Sequence, residues 1–376
     1  MPFAHRAIFV WSLQSIFLSF IFPRAARTFQ TSNHLPFAAR NLRQMTATGR
    51  VMNAEESGLF LRTPLIKSEP LSKLTGRDIY IKLDCLQPSG SFKDRGMANL
   101  CQTLSTTQGT KKLIASSGGN AGLAVATVGL KYGMDISVVV PESTKSHVIA
   151  KLKSLNADVT VHGKIWNEAD LLARQRAEED PKAEYCSPYD NPLLWTGHST
   201  LIDEIVEEIS HIGAVIVSVG GGGLICGVLE GLERHGKESK VVACETEGAS
   251  SFCQSWLKGG EKVRLDTISS IATSLGALEV TEVAITRSHQ HQAMGGKVEA
   301  AICTDKEAVE ACIKFSEDHR ILVEPACGAG LAALYSDRLR KTTLDGVDGP
   351  IVVEICGGSG VNLDLLAMWK KDLGIE

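Results

Sequence analysis

Residues 214–232 read AVIVSVGGGGLICGVLEGL: a β-branched apolar run, four consecutive glycines at Gly220, Gly221, Gly222 and Gly223, then an apolar stretch with helical spacing. An unbroken apolar run of this length suits a strand covered on both faces, the habit of parallel sheets. Glycine removes the Cβ that would keep a ligand off the backbone. The first amides of the following helix have no partner of their own and favour an anion. Two further junctions share this form: KLIASS (112–117) running through glycines into AGLAVATVGLKYG, and PIVVEIC (350–356) running into Gly357 and Gly358. One such turn is equally a tight strand–helix connection, but three in one chain point to a site for anions. The dinucleotide fingerprint fails, because the sixth position counted from Gly220 is Ile225 and from Gly221 is Cys226. No G-x-x-x-x-G-K-[ST] occurs either. The anion these junctions suit is a phosphate held by neither nucleotide signature.

Outward from these junctions, DIYIKLD (78–84), DISVVVP (135–141), ADVTVHG (157–163) and KVVACET (240–246) read as further strands. HVIAKLKSLN (147–156) and LIDEIVEEIS (201–210) read as helices between them. The fold class is α/β: open, twisted, mainly parallel sheets flanked by helices. A chain of 376 residues has room for one large or two modest domains. Its net charge of -4 supplies no basic field, which argues against nucleic acid as a partner. The ten cysteines include no C-x-x-C pair, which argues against a zinc ribbon or a redox dithiol and fits a reducing compartment.

The first 52 residues stand apart. They carry Arg6, Arg24, Arg27, Arg40, Arg43 and Arg50, with no lysine and no acid before Glu55. The apolar run at 7–22 is interrupted by Gln14 and shorter than the ~20 residues of a membrane-spanning helix. Two readings stay open: a mitochondrial presequence, or a cytoplasmic protein whose translation starts at Met45 or Met52. A secretory signal is also compatible with the apolar run.

The segment Pro88-Ser89-Gly90-Ser91-Phe92-Lys93-Asp94-Arg95-Gly96 places a lysine after a Pro/Ser/Gly turn and an aromatic, where a strand gives way to a helix. An amine there can form a Schiff base with an aldehyde cofactor if its surroundings lower its pKa. Taken with SSGGNAG (116–122), SVGGGGL (218–224), CGGSG (356–360), LRTPL (61–65), NPLLWTGHST (191–200) and LVEPACGAGLAAL (322–334), the chain resembles fold-type II pyridoxal-phosphate enzymes. Within them it is most similar to the animal L-serine dehydratase / L-threonine deaminase family, over roughly residues 58–376.

The resemblance implies that Lys93 carries pyridoxal 5'-phosphate covalently and that Phe92 packs on the cofactor's face. It implies that Asn120 hydrogen-bonds the phenolic oxygen, and that Ser117, Gly118 and Gly119 cup the substrate carboxylate. Gly220–Gly223 would cradle the phosphate, and the Cys356 thiol would face the pyridine nitrogen. A thiol is a weak, neutral partner, so the ring is a milder electron sink than one paired with a carboxylate, favouring prompt loss of a β-leaving group. The amine of Lys93, once displaced by substrate, would remove the Cα proton, giving elimination of water and then pyruvate or 2-oxobutanoate with ammonia. A monovalent cation, K+, is implied at Glu245 and Ala249, with carbonyls of Leu275 and Ala277. The family's organisation implies a small domain at 87–190, a large one combining 53–86 with 191–376, and a homodimer with no membrane attachment.

Asp94 departs from that family: K-D-R after the turn is typical of threonine synthases and cysteine-synthase-like enzymes. This keeps β-replacement open as an alternative, while a non-catalytic amino-acid sensor is a third reading. Racemases of the fold carry a serine at the position of Gly118, and its absence disfavours racemisation.

Overall fold

The computed structural model describes residues 58–376, so the reading of the Arg-rich leader lies outside the described residues. The described part belongs to one compact unit with two sheets. Its strands are β1 (Leu65–Lys67), β2 (Ile79–Lys82), β3 (Lys112–Ala115), β4 (Asp135–Val140), β5 (Asp158–Val161), β6 (Ala183–Cys186), β7 (Ala214–Ser218), β8 (Lys240–Thr246), β9 (Lys297–Cys303) and β10 (Ile351–Glu354). One sheet runs β1-β2-β10-β7-β8-β9 and the other β5-β4-β3-β6. Every pairing is parallel except β1 with β2. The open, mainly parallel α/β architecture expected from the sequence is therefore the one observed.

Every residue of β7, β8 and β10 is buried, which is why their sequences show no alternation. The Pro325–Tyr335 helix packs against all three strands. It is buried at every position, and its sequence, PACGAGLAALY, is correspondingly apolar all round. Glycines also set the spacing of the three helices behind the Lys93 segment, Lys93–Gln108, Pro192–Glu208 and Gly223–Arg234. A Cβ on Gly96 would lie 2.4 Å from the His198 ring, and one on Gly197 2.4 Å from the Arg95 carbonyl. Only hydrogen at these positions allows this approach.

Arg95, two residues after Lys93, is fully buried. Its Nε and Nη2 donate to the two Asp84 oxygens, both at 2.8 Å, while Nη2 also reaches Glu204 at 2.9 Å and Thr63 at 3.1 Å. Lys82, at the end of β2, donates to the same Glu204 oxygen, Oε2, and to the Thr63 carbonyl at 2.6 Å. Two cations and two anions thus share one enclosure. Burial opposes ionisation of Asp84, yet the guanidinium beside it holds its pKa below the ordinary value. Glu354, paired with Lys82 across the sheet, is the odd acid. Burial and the Asp84 charge push its pKa well up and keep it protonated.

Removing one member of a buried ionic group leaves its partners charged and uncompensated. Arg95→Ala is therefore expected to destabilise the protein by about 3–5 kcal/mol, read as a lowered urea midpoint.

Candidate active site

The Lys93–Gln108 helix starts where its loop is tied to the segment following β10. Phe92 N–H donates to the Cys356 carbonyl at 3.3 Å, Gly358 N–H to the Gly90 carbonyl at 2.9 Å, and Ser91 bridges Gly357. The Ser89 amide donates to Asp94 Oδ2 at 2.9 Å, so this acid closes the turn that presents Lys93. Arg95 belongs to the ionic cluster beneath. Asp94 and Arg95 of the K-D-R sequence thus both serve the scaffold.

Lys93 Nζ donates to the Pro188 carbonyl at 2.8 Å and lies 4.9 Å from the centre of the Phe92 ring. Burial disfavours its ammonium form and lowers its pKa to about 8, against pulls from Cys186, Cys356 and Glu324. Phe92 meets the His198 ring edge-on, 4.9 Å between centres. Burial, with Lys93 and Arg95 nearby, pushes the His198 pKa well down and leaves that ring neutral.

The four glycines connect β7 to the Gly223–Arg234 helix. Among the described residues, the amides of Gly220, Gly221 and Gly222 donate to no group of the chain. Gly222 has φ +98°, a conformation that L side chains rarely adopt. A Cβ on Gly221 would lie 2.3 Å from the Tyr189 ring, and one on Gly220 3.1 Å from the Ser274 carbonyl. The loop is therefore a bare-backbone cradle with unpartnered donors, walled by residues 188–190 and 274–275, and it fits a phosphate. The same 188–190 segment carries the carbonyl that receives Lys93.

Ser117, Gly118 and Gly119 lead from β3 into the Asn120–Lys131 helix. The helix has no side-chain cap, so its first amides are available to a carboxylate. A Cβ on Gly122 would lie 1.7 Å from the Ser117 carbonyl oxygen, so glycine is obligatory under this loop. Ser116 donates to Asp170 at 2.6 Å, as does Tyr185 from the end of β6, anchoring the loop from behind.

Asn120 reaches across to the segment after β10. Its Oδ1 accepts from Ser359 N–H at 2.9 Å and Ser359 Oγ at 3.1 Å. Its Nδ2 donates to Glu324 at 2.8 Å and lies 3.4 Å from Ser274 Oγ. Cys356 is buried, and its thiol pKa is pushed well up by a hydrogen bond with Cys327 and by burial, so it is a neutral partner.

Glu245 is the penultimate residue of β8, and Ala249 follows the strand. The Glu245 carboxylate accepts the amides of Phe252 at 3.2 Å and Cys253 at 2.6 Å. Burial raises its pKa to about 8 despite these donors. The Leu275 carbonyl accepts from Ala277 N–H at 2.7 Å. Among the described residues, no group of three or more His, Cys, Asp and Glu forms a metal cage.

Sequence reading did not single out Glu324, His198, Pro188, Tyr189, Ser274 or Ser359. Their segments lie far apart in the chain, and only Glu324, an acid immediately before a proline in an apolar run, carries a local signal.

A model of pyridoxal-phosphate dependent enzymes matches residues 57–357. The chain belongs to that family. This pyridoxal-phosphate dependent enzyme is 41% identical to the mouse L-serine dehydratase/L-threonine deaminase over 331 residues, covering 86% of this chain and 99% of the relative. It is 38% identical to the L-serine dehydratase of Dictyostelium discoideum, covering 86% and 96% respectively. Among solved structures, a fungal L-serine ammonia-lyase from Rhizomucor miehei superposes with TM-score 0.76 at 30% identity, covering 84% of this chain and 99% of that one. The processed form of threonine deaminase isoform 2 from Solanum lycopersicum gives 0.77 at 25% identity, covering 90% of each. No helix among the described residues is long and apolar enough to cross a membrane.

With its pKa near 8, the Lys93 amine becomes reactive toward an aldehyde as pH rises through that value. Loading of the apoprotein with pyridoxal phosphate, followed by the growth of its visible absorption, should accelerate about fivefold from about pH 7 to 8 and level off above about pH 9.

Proposed function

We propose that this protein eliminates water from L-serine and L-threonine, yielding pyruvate or 2-oxobutanoate and ammonia. The observation that carries the reading is the pairing of a lysine amine whose pKa is lowered to about 8 with a neutral thiol at Cys356, beside a glycine cradle for phosphate. The names of the relatives support it. Pyridoxal phosphate, when bound, supplies the electron sink for the pair left behind as the Cα proton departs. Phe92 would form a wall of the cofactor pocket, with the rigid His198 ring behind it. The amides at the start of the Asn120–Lys131 helix would hold the substrate carboxylate, which fixes Cα within reach of Lys93 Nζ. That amine, in the uncharged form that a pKa lowered to about 8 makes accessible, removes the Cα proton. The β-hydroxyl takes up a proton and leaves as water, and the released enamine (aminoacrylate from serine, aminocrotonate from threonine) is hydrolysed by water to the oxo acid and ammonia. No second face carries a base at position 118: a Cβ there would lie 3.2 Å from the Thr144 methyl. The residues around the four-stranded sheet (87–190) and those around the other sheet (53–86 with 191–376) would form the two domains that close on substrate.

The decisive assay is pyruvate formation from L-serine with no second nucleophile present. Lys93→Ala should lower that rate by at least about 10³-fold while leaving the fold intact by circular dichroism. A requirement for added sulfide would replace elimination with β-replacement.

A monovalent cation, K+, is part of the reading, held by Glu245 and the carbonyls of Ala249, Leu275 and Ala277. Glu245 has a higher pKa in the fold than in the unfolded chain, so its proton is bound on folding and the associated stability falls as pH rises from about 4.5 through 8. A cation takes the proton's place. The rise in melting temperature given by potassium chloride over a bulky organic chloride should therefore be larger at about pH 8.5 than at about pH 6, and Glu245→Gln should abolish the difference.

A further inference from the structure

Glu324 stands at the N-cap of the Pro325–Tyr335 helix, 5% exposed. An acid at an N-cap ordinarily accepts from the amides of its own helix. This one makes no such bond. Its carboxylate leaves the helix and accepts from Asn120 Nδ2 at 2.8 Å on one oxygen and from Gly360 N–H at 3.2 Å on the other. The backbone opposite has been cleared for it: Gly358, at φ +118°, would carry a Cβ 1.9 Å from the carboxylate carbon. Burial of an acid in this way is unfavourable unless both oxygens find donors, and both do.

The bonding partners settle which way the Asn120 amide faces. A backbone N–H can only donate and a carboxylate can only accept. The Ser359 amide at 2.9 Å therefore demands Oδ1, and Glu324 demands Nδ2. One hydrogen of Nδ2 goes to Glu324; the second N–H makes only the longer contact to Ser274 Oγ, 3.4 Å, and is the donor that a ligand in the site would take over. Were the amide turned over, two donors would face each other at Ser359 and two acceptors at Glu324.

We infer that Glu324 is a positioning residue, which acts through Asn120 by locking its side-chain amide so that one N–H is always offered to the phenolic oxygen of pyridoxal phosphate. The inference rests on the proposed contact between Asn120 and that oxygen, and it is separable from the overall reaction. Glutamine at 324 keeps the size but must set an NH2 against either Asn120 or Gly360.

Holoenzymes of Glu324→Gln, Asn120→Ala and the double variant provide the test, read by visible absorption and by kcat and KM for serine. Glu324→Gln should shift the absorption maximum in the same direction as Asn120→Ala and lower kcat about 10–100-fold with KM little changed. In the Asn120→Ala background, Glu324→Gln should cost less than about threefold more. Ser359→Ala, which removes only the hydroxyl donor to Oδ1, should move the spectrum the same way with a smaller loss, so the test survives if Glu324→Gln folds poorly. Multiplying effects in the double variant would overturn the inference, as would a shifted spectrum in Asn120→Ala but an unshifted one in both Glu324→Gln and Ser359→Ala. An unshifted spectrum in Asn120→Ala would remove the contact on which it rests, while pyruvate formation by the unmodified enzyme would leave the elimination reading standing.

Discussion

The pose of Lys93 depends on charges it does not touch. Asp84, Arg95, Glu204 and Lys82 form a closed set in which each anion faces a cation and the guanidinium meets both acids. They belong to the loop after β2, the Lys93–Gln108 helix, the Pro192–Glu208 helix and the end of β2 itself. A buried cluster of this kind is worth little as net stability compared with apolar packing, but its geometry tolerates little slippage. Arg95 is one residue past the turn that Asp94 closes, so the register of the cluster sets the register of Lys93. Glu354 fits the same account: a third ionised acid would leave the enclosure with excess negative charge, and it stays protonated.

The second constraint is topological. Parallel strands deliver their C-terminal ends to one edge of a sheet, and ligands gather outside those ends. Here β3, β7 and β10 release the 117–119 loop, the four-glycine loop and the Cys356 segment respectively. Cross-chain ties then make these loops one site: Phe92 to Cys356, Asn120 to Ser359, and the Ser274–Leu275 backbone against Gly220.

Much of this was legible in the chain, and the exceptions have physical causes. The fully covered strands β7, β8 and β10 advertise themselves as unbroken apolar runs. β1 is three residues long at a sheet edge, with exposed side chains, and gives no such signal. β6, AEYC, and β9, KVEAAIC, are also edge strands, and their charged or small residues reflect one-sided cover. The glycine junctions and Lys93 were visible because bare backbone and a lysine after a tight turn are local features. Glu324 was not, because its role is created by a chain crossing: 204 residues separate it from Asn120. Arg95 looked like part of a family signature, whereas the fold uses it as the centre of a buried ion cluster. Asp94 likewise closes a turn, a role its place in the K-D-R sequence does not show.

The electrostatics of the site follow from its burial. His198 is neutral, the Cys356 thiol is neutral, and the Lys93 ammonium is destabilised. Apart from the Glu324 carboxylate held by Asn120 and Gly360, full side-chain charges are thus withheld from the residues around Lys93. What remains to attract anions is backbone: the unpartnered amides of the four glycines and those opening the Asn120–Lys131 helix. Amide dipoles fixed by a helix need no reorganisation when a phosphate or carboxylate arrives, and they do not add a mobile proton to the site. Were Cys356 to meet the pyridine nitrogen of a bound cofactor, as proposed, its neutral thiol would make the ring a weaker electron sink than an acid in the same place would. Such a sink suits prompt loss of a group from Cβ, so the proposed elimination is in keeping with a thiol, rather than an acid, just beyond the end of β10.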